Sequence, residues 1–238
     1  MKKLLVQFSL SVALVFAVGC KNVDLNQVAS ALEQYQPGLD RQTVTAGLKQ
    51  ALEVGTKNSV AKTSRMGGFS EDPVIKILVP TEMNKLAKNM RRYGFGQYVD
   101  RFESQLNRTA EYASAEAKVI FIDSITQMSV GDAWSILNGQ DDAATQYFRK
   151  NTESRLKTRF KPKISESMAK VGFYSDYRKL LDKYNALPLS DKPSLDIEDY
   201  IMQKTLDGLF IKVAEEEAKI RNNPAARVTE LLRKVFAN

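Results

Sequence analysis

From Gln97 to Met128 the chain carries neither proline nor glycine, and its apolar residues recur at steps of three and four. Tyr98, Phe102, Leu106, Ala110, Ala113, Ala117, Ile120, Phe121, Ile125 and Met128 fall on one stripe of a 3.6-residue repeat,. An unbroken helix over that span is roughly 45–50 Å long at 1.5 Å per residue. A chain committed to such a rod must bury its stripe against other rods. The alanines at its centre let a neighbouring helix approach closely. The spacing therefore predicts an all-α protein, a multi-helix bundle of helical hairpins around one long central helix.

The flanking segments agree. Arg41 to about Lys62 is helical in pattern, with Val44, Leu48, Ala51, Leu52 and Val60 on one side. Thr81 to Tyr93 reads as a helix closed by Gly94-Phe95-Gly96. Ser129 and Asp132 have capping-box spacing ahead of a short helix containing Trp134, expected in the core, and Ile136,. That helix stops at Asn138-Gly139, where a left-handed cap is expected,. Asp141 or Asp142 is expected to cap the next helix, which meets Pro162 with a kink or a fresh start there. Gly172 ends that helix, and Tyr174–Asn185 forms a short one. A loop follows over 186–194, then a second long helix from Asp196 to about Arg221, then a final helix after Pro224. The one β-like stretch, Val74 to Val79, sits between Pro73 and Pro80 and reads as an extended connector,.

The first residues have a different character. Lys2 and Lys3 precede the apolar run Leu4–Val18, which is followed by Gly19 and Cys20. This is the layout of a secretory signal, and the run is short for a bilayer span. "AVGC" resembles the lipobox of bacterial lipoproteins, in which the thiol is acylated and the chain is cut just before it; Ala17 stands where leucine is usual. The expected organisation is a signal peptide over 1–19, a lipid-anchored tether over 20–39 and one helical domain over 40–238. Cys20 is the expected lipidation site. The location that follows is the periplasmic face of a bacterial membrane, and Lys21 in place of aspartate resembles outer-membrane sorting. The alternative is ordinary cleavage near Gly19 with a free thiol.

Composition closes several chemistries. There is no histidine and only one cysteine among 238 residues. Ser–His–Asp and Cys–His catalysis and ordinary zinc sites drop out, as does an internal disulfide. No cofactor motif is present, so no cofactor and no metal are expected. The net charge of +7 falls to +5 without Lys2 and Lys3. That mild excess suits anionic surroundings and falls short of a nucleic-acid signature.

Three stretches carry candidate residues. Asn138 to Lys150, "NGQDDAATQYFRK", reads first as a helix stop and a helix start, and this leaves Thr145, Gln146 and Arg149 unassigned. The functional alternative is a polar pocket at a helix corner. A divalent ion on Asp141 and Asp142 is disfavoured, because the run lacks the alternating oxygen ligands of a calcium loop. Asn107, Arg108 and Glu111 share a helix face. They form either a local ion pair and interhelical clasp or, if they meet Asp141, Asp142, Thr145, Gln146 and Arg149 in space, a ligand or acid–base site. Arg155, Lys157, Arg159 and Lys161 form either a solvated face or a contact with anionic lipid or an acidic envelope protein. "EEEAKIR" (215–221) reads as surface salt bridges,.

The segments "NRTAE" (107–111), "DAWSILNGQDDAATQYFR" (132–149), "FKP" (160–162) and "LDGLFIKVAEEEAKIRNNPAARVTELL" (206–232) resemble a family of exported bacterial proteins, domain of unknown function 4197. The likeness runs from about Gly47 to Phe236. It implies the fold, the boundaries and the location, and brings no catalytic residue, ligand or partner. The functional expectation is a membrane-tethered, non-catalytic binding or structural lipoprotein of the envelope. Its rivals are a carboxylate-dependent hydrolase centred on Glu111 and Asp141/Asp142, and a helical carrier of a hydrophobic ligand.

Overall fold

The computed structural model describes residues 41–186 and 196–222. The signal, the tether, Cys20, most of the 186–194 loop and the final helix after Pro224 lie outside the described residues. The chain divides into two compact units, Met1–Gly38 and Leu39–Asn238, and the described residues belong to the second.

That unit is all-α among the described residues. Its helices are α1 (Arg41–Ser64), α2 (Asn84–Arg92), α3 (Gly96–Ser114), α4 (Ala117–Gln127), α5 (Val130–Leu137), α6 (Ala143–Lys170), α7 (Phe173–Asn185) and α8 (Ile197–Asn222). A single 3₁₀ turn, Thr81–Met83, precedes α2. Helix α8 lies at the centre, packed against α1, α3 and α6. Its buried face runs through Ile201, Thr205, Leu209, Val213, Glu216 and Ile220, a helical spacing that turns polar in its second half,.

The expected rod from Gln97 to Met128 is two helices. Ser114 Oγ donates to the Ala110 carbonyl (2.8 Å), a back-bond known to bend helices,. The Glu116 amide donates to Ala113 O at 3.1 Å, three residues back, which tightens the turn,. All of this proceeds without proline or glycine. Phe121 on α4 meets Phe148 on α6 and Phe210 on α8, with ring centroids 5.3 and 5.9 Å apart. The predicted stripe from Phe102 to Met128 is buried on both sides of the break, and Tyr98 is half-buried; Ala110, Ala113 and Ala117 are all inaccessible to solvent.

At Pro162 there is no fresh start, and α6 runs through it to Lys170. A proline within a helix costs about 3 kcal/mol. Phe160 and Ile164, fully buried on either side, hold the helix in place. Gly139 is not left-handed either, and Asn138 has φ −93°. Glycine is needed there for another reason. A Cβ would lie 2.7 Å from Ala143 Cβ and 2.7 Å from the Ser135 carbonyl, so the corner between α5 and α6 closes only without one. The capping box at α5 forms as expected, with the Asp132 amide donating to Ser129 Oγ and the Ser129 amide to Asp132 Oδ2, both at 3.0 Å.

Candidate functional site

The connector from Pro73 to Pro80 is where the predicted polar residues of α3 act. Leaving a turn at 73–75, it runs extended across α3, and its backbone has no strand to pair with among the described residues. Side chains one and two turns apart on α3 pair with it instead. The Ile77 amide donates to Asn107 Oδ1 (2.8 Å), and Asn107 Nδ2 donates back to Ile77 O (2.7 Å). One turn earlier, Glu103 accepts from the Val79 amide (3.2 Å). One turn later, Glu111 accepts from the Phe69 amide (3.3 Å) and pairs with Arg108 (3.0 Å). Arg108 also lies over the Tyr112 ring. At i, i+4 and i+8 these side chains form three rungs: Glu103 and Asn107 substitute for a neighbouring strand along the connector, and Glu111 holds the turn before it. An amide is suited to the middle rung because it donates and accepts at once. From the far side, Tyr200 on α8 donates its hydroxyl to Leu78 O (3.0 Å).

A second polar assembly lies along the latter half of α8. Lys212, 5% exposed, bonds Asp72 and Glu215 at 2.6 Å each, tying α8 to the turn before the connector. Glu216 takes hydrogen bonds from Asn58 and Lys62 on α1 and from Lys219. Burial opposes ionisation of Glu216, but the bonds from Lys219, Lys62 and Asn58 outweigh it and bring the carboxyl down to about 2,. Glu217 reaches the N-terminus of α6. It accepts from the amides of Ala144 (2.9 Å) and Thr145 (2.8 Å) and from Thr145 Oγ1 (2.8 Å). Arg221 bridges Glu217 (2.9 Å) and the Ile136 carbonyl at the end of α5 (2.9 Å).

This corrects two expectations. Asp142 occupies the N-cap position of α6 without a side-chain cap bond; its carboxylate accepts from Gln146 (2.9 Å). The unpaired amides of the first turn are served from another helix, by a carboxylate that also meets the positive end of the α6 dipole. And "EEEAKIR" is no solvated patch. The Glu217–Arg221 pair exists, but Glu216 and Glu217 are both 6% exposed and join α8 to α1 and α6, and Arg221 adds α5. In α-helical spacing a buried i,i+4 pair looks the same as an exposed one, so the sequence carried no signal of this role.

The structure places Asn107 on the connector, Glu111 on the Phe69 turn before it with Arg108 as its ion-pair partner, and Thr145 against Glu217. No hydrogen bond or ion pair among the described residues joins the two groups. Asp141 is exposed, and Arg149 pairs with Glu153 (3.5 Å) and Asp207 (3.7 Å) while lying over the Phe210 ring. On the basic face of α6, Arg155 pairs with Asp123 (2.9 Å), Lys157 with Glu153 (2.8 Å) and Arg159 with Glu116 (3.6 Å); Lys161 is exposed beside the start of α8. Trp134 is half-buried, under the Arg41 guanidinium rather than in the core. Among the described residues no group of three or more carboxylate or cysteine side chains is placed to hold a metal ion, and no helix is long and apolar enough to cross a membrane.

Between the connector and α8 lies an open cleft of about 460 Å³. Its wall residues include Val74, Lys76 and Leu78 on the connector and Tyr200, Lys204 and Ile211 on α8. Sequence reasoning missed it, because it depends on how a connector and a helix distant in sequence come together.

A family model described as "Protein of unknown function (DUF4197)" matches residues 38–237. No curated protein and no solved structure matches the chain.

Proposed function

The chain belongs to the DUF4197 family, and from that premise we propose that it is a membrane-tethered lipoprotein of the bacterial envelope, acylated at Cys20 and acting as a non-catalytic binding or structural protein. One observation carries the non-catalytic part. Of the carboxylates that the hydrolase reading would draw on, Asp141 and Asp142 are exposed at the start of α6, with no hydrogen bond or ion pair to Glu111, and Glu111 is committed to the Phe69 amide and Arg108; the other interior carboxylates are committed as well, Glu216 to Asn58 and two lysines, Glu217 to the first turn of α6. A general acid or base needs a proton-accepting face open to substrate, and each of these interior faces is turned to a backbone amide or a cation. Support for the tether comes from the sequence alone, from the apolar run ending in "AVGC". Two or more acyl chains on one residue give stable anchoring, and on this reading the periplasmic face of the outer membrane holds the protein.

The experiment is intact-mass spectrometry of the processed chain together with membrane fractionation of wild type and Cys20→Ser. A mass beginning at an acylated Cys20, and release of the serine variant from the membrane fraction, are expected. A processed chain with a free thiol removes the lipoprotein reading.

A further inference from the structure

We infer that the cleft between the Pro73–Pro80 connector and α8 is a docking groove for an extended, acidic peptide segment of a partner protein. The inference deepens the binding role proposed above and rests on it.

The connector alternates like a strand. Ile75 and Ile77 are buried, whereas Val74 is 63% and Leu78 56% exposed, with Lys76 outward between them. Across the cleft Ile211 on α8 is 37% exposed. Three large apolar side chains left in water around one concavity are unusual on a surface where most such groups occur singly.

The wall that carries two of them is held rigid. Asn107 grips both backbone groups of Ile77, Glu103 holds the Val79 amide and Tyr200 the Leu78 carbonyl. A wall already ordered spares the entropy that binding would otherwise cost.

Charge selects the occupant. Arg149 and Asp207 offset one another within the cleft. Lys76 and Lys204 line it without a carboxylate partner among the described residues; Lys204 lies only over the Tyr200 ring. The remaining potential is that of two cations set among apolar anchors. An extended peptide whose apolar side chains alternate with carboxylates matches this pattern, its anchors meeting Val74, Leu78 and Ile211 and its carboxylates the lysines. A phospholipid surface fits less well, because Asp207, half-exposed in the cleft, would face the phosphates.

The test uses full-length processed protein in detergent and short fluorescein-labelled peptides in which leucine alternates with glutamate, glutamine or lysine, followed by anisotropy. The glutamate peptide is expected to bind tightest, and increasingly weakly as salt is raised. Lys76→Glu combined with Lys204→Glu should weaken it roughly tenfold. Leu78→Ser should weaken all three peptides. These positions are exposed, so an unchanged thermal melt separates lost binding from lost folding. Indifference to peptide charge, or full affinity in the double variant, overturns the proposal. So does a double variant that instead loses binding to phosphatidylglycerol vesicles while retaining the peptide. A chain with an unmodified Cys20 that still binds the peptide would sink the tether and leave the groove standing; an acylated chain that ignores every peptide would do the reverse.

Discussion

Replacing Glu217 by alanine asks whether a carboxylate from one helix caps another. The substitution removes the acceptor for the Ala144 and Thr145 amides and for the Thr145 hydroxyl, bonds of 2.8–2.9 Å. Ala144 and Thr145 are 1% and 7% exposed, so water does not readily take the carboxylate's place. It also breaks the Glu217–Arg221 ion pair, in which the two side chains are only 5% and 15% exposed, beside the Ile136 carbonyl. Losing an N-cap costs about 1–2 kcal/mol, and breaking a buried ion pair by removing one partner about 3–5 kcal/mol. The two overlap here, so the expected loss is about 3–5 kcal/mol, a large share of the roughly 5–15 kcal/mol that holds a domain together. If the pair were merely an exposed i,i+4 bridge, the loss would be about 0.3–0.5 kcal/mol. Urea denaturation followed by far-ultraviolet ellipticity separates the two, with Glu53→Ala as the control, in an exposed i,i+4 pair with Lys57. Glu217→Gln keeps the shape and one acceptor and should lose roughly half as much, which preserves the comparison if the alanine variant does not fold. A double-mutant cycle with Thr145→Val should show coupling of about 1 kcal/mol or more. A loss below about 1 kcal/mol for alanine, at unchanged denaturant slope, would refute the cap.

Three further outcomes are expected. Glu216 ionises more readily in the folded chain than its ordinary value of 4.5, at about 2; its contribution is therefore complete above pH ~4.5 and fades as pH falls toward ~2, by ~3 kcal/mol at most. Glu216→Gln should flatten that acid limb in urea titrations taken across the range, and an unchanged limb would contradict the pairing. Gly208→Ala places a Cβ 2.6 Å from Phe69 Cε1 and 3.2 Å from Ile75 Cβ, and overpacking at so tight a crossing should cost about 1–3 kcal/mol in thermal or urea melts; a neutral result would mean that the Phe69 turn yields easily. Asn107→Leu keeps the branched heavy-atom shape but leaves the Ile77 amide and carbonyl without the Asn107 side chain, so a loss of about 2–4 kcal/mol is expected, and hydrogen exchange at Ile77 should quicken while that at the core of α6 changes little.

Much of the architecture was legible because helical spacing is local. The Ser129–Asp132 box, the stop at Gly172 and the reach of α1 and α8 all follow from residues within a few turns of one another. The failures have a common physical form. Helix α3 ends at Ser114, where the Ser114 hydroxyl bonds the Ala110 carbonyl and the Glu116 amide tightens onto Ala113, and no proline or glycine between Gln97 and Met128 announces that break. Asp142 had the right position for a cap, but a carboxylate over seventy residues away supplies it. Asn107 and Glu111 share one face of α3, yet the groups they serve are the backbone of Ile77 in the connector and of Phe69 in the turn before it rather than the Asp141–Arg149 turn.

From its residues alone, then, the chain specified a helical class, most helix ends, and the chemistries that a protein without histidine and with a single cysteine must forgo, since those depend on short-range geometry and on which functional groups exist at all. Only packing decided which acid caps α6, which backbone groups Asn107 and Glu111 hold, and that a proline-flanked connector stands beside α8 to form a cleft. Those outcomes depend on distances between segments far apart in the sequence, and a one-dimensional pattern carries no such distances.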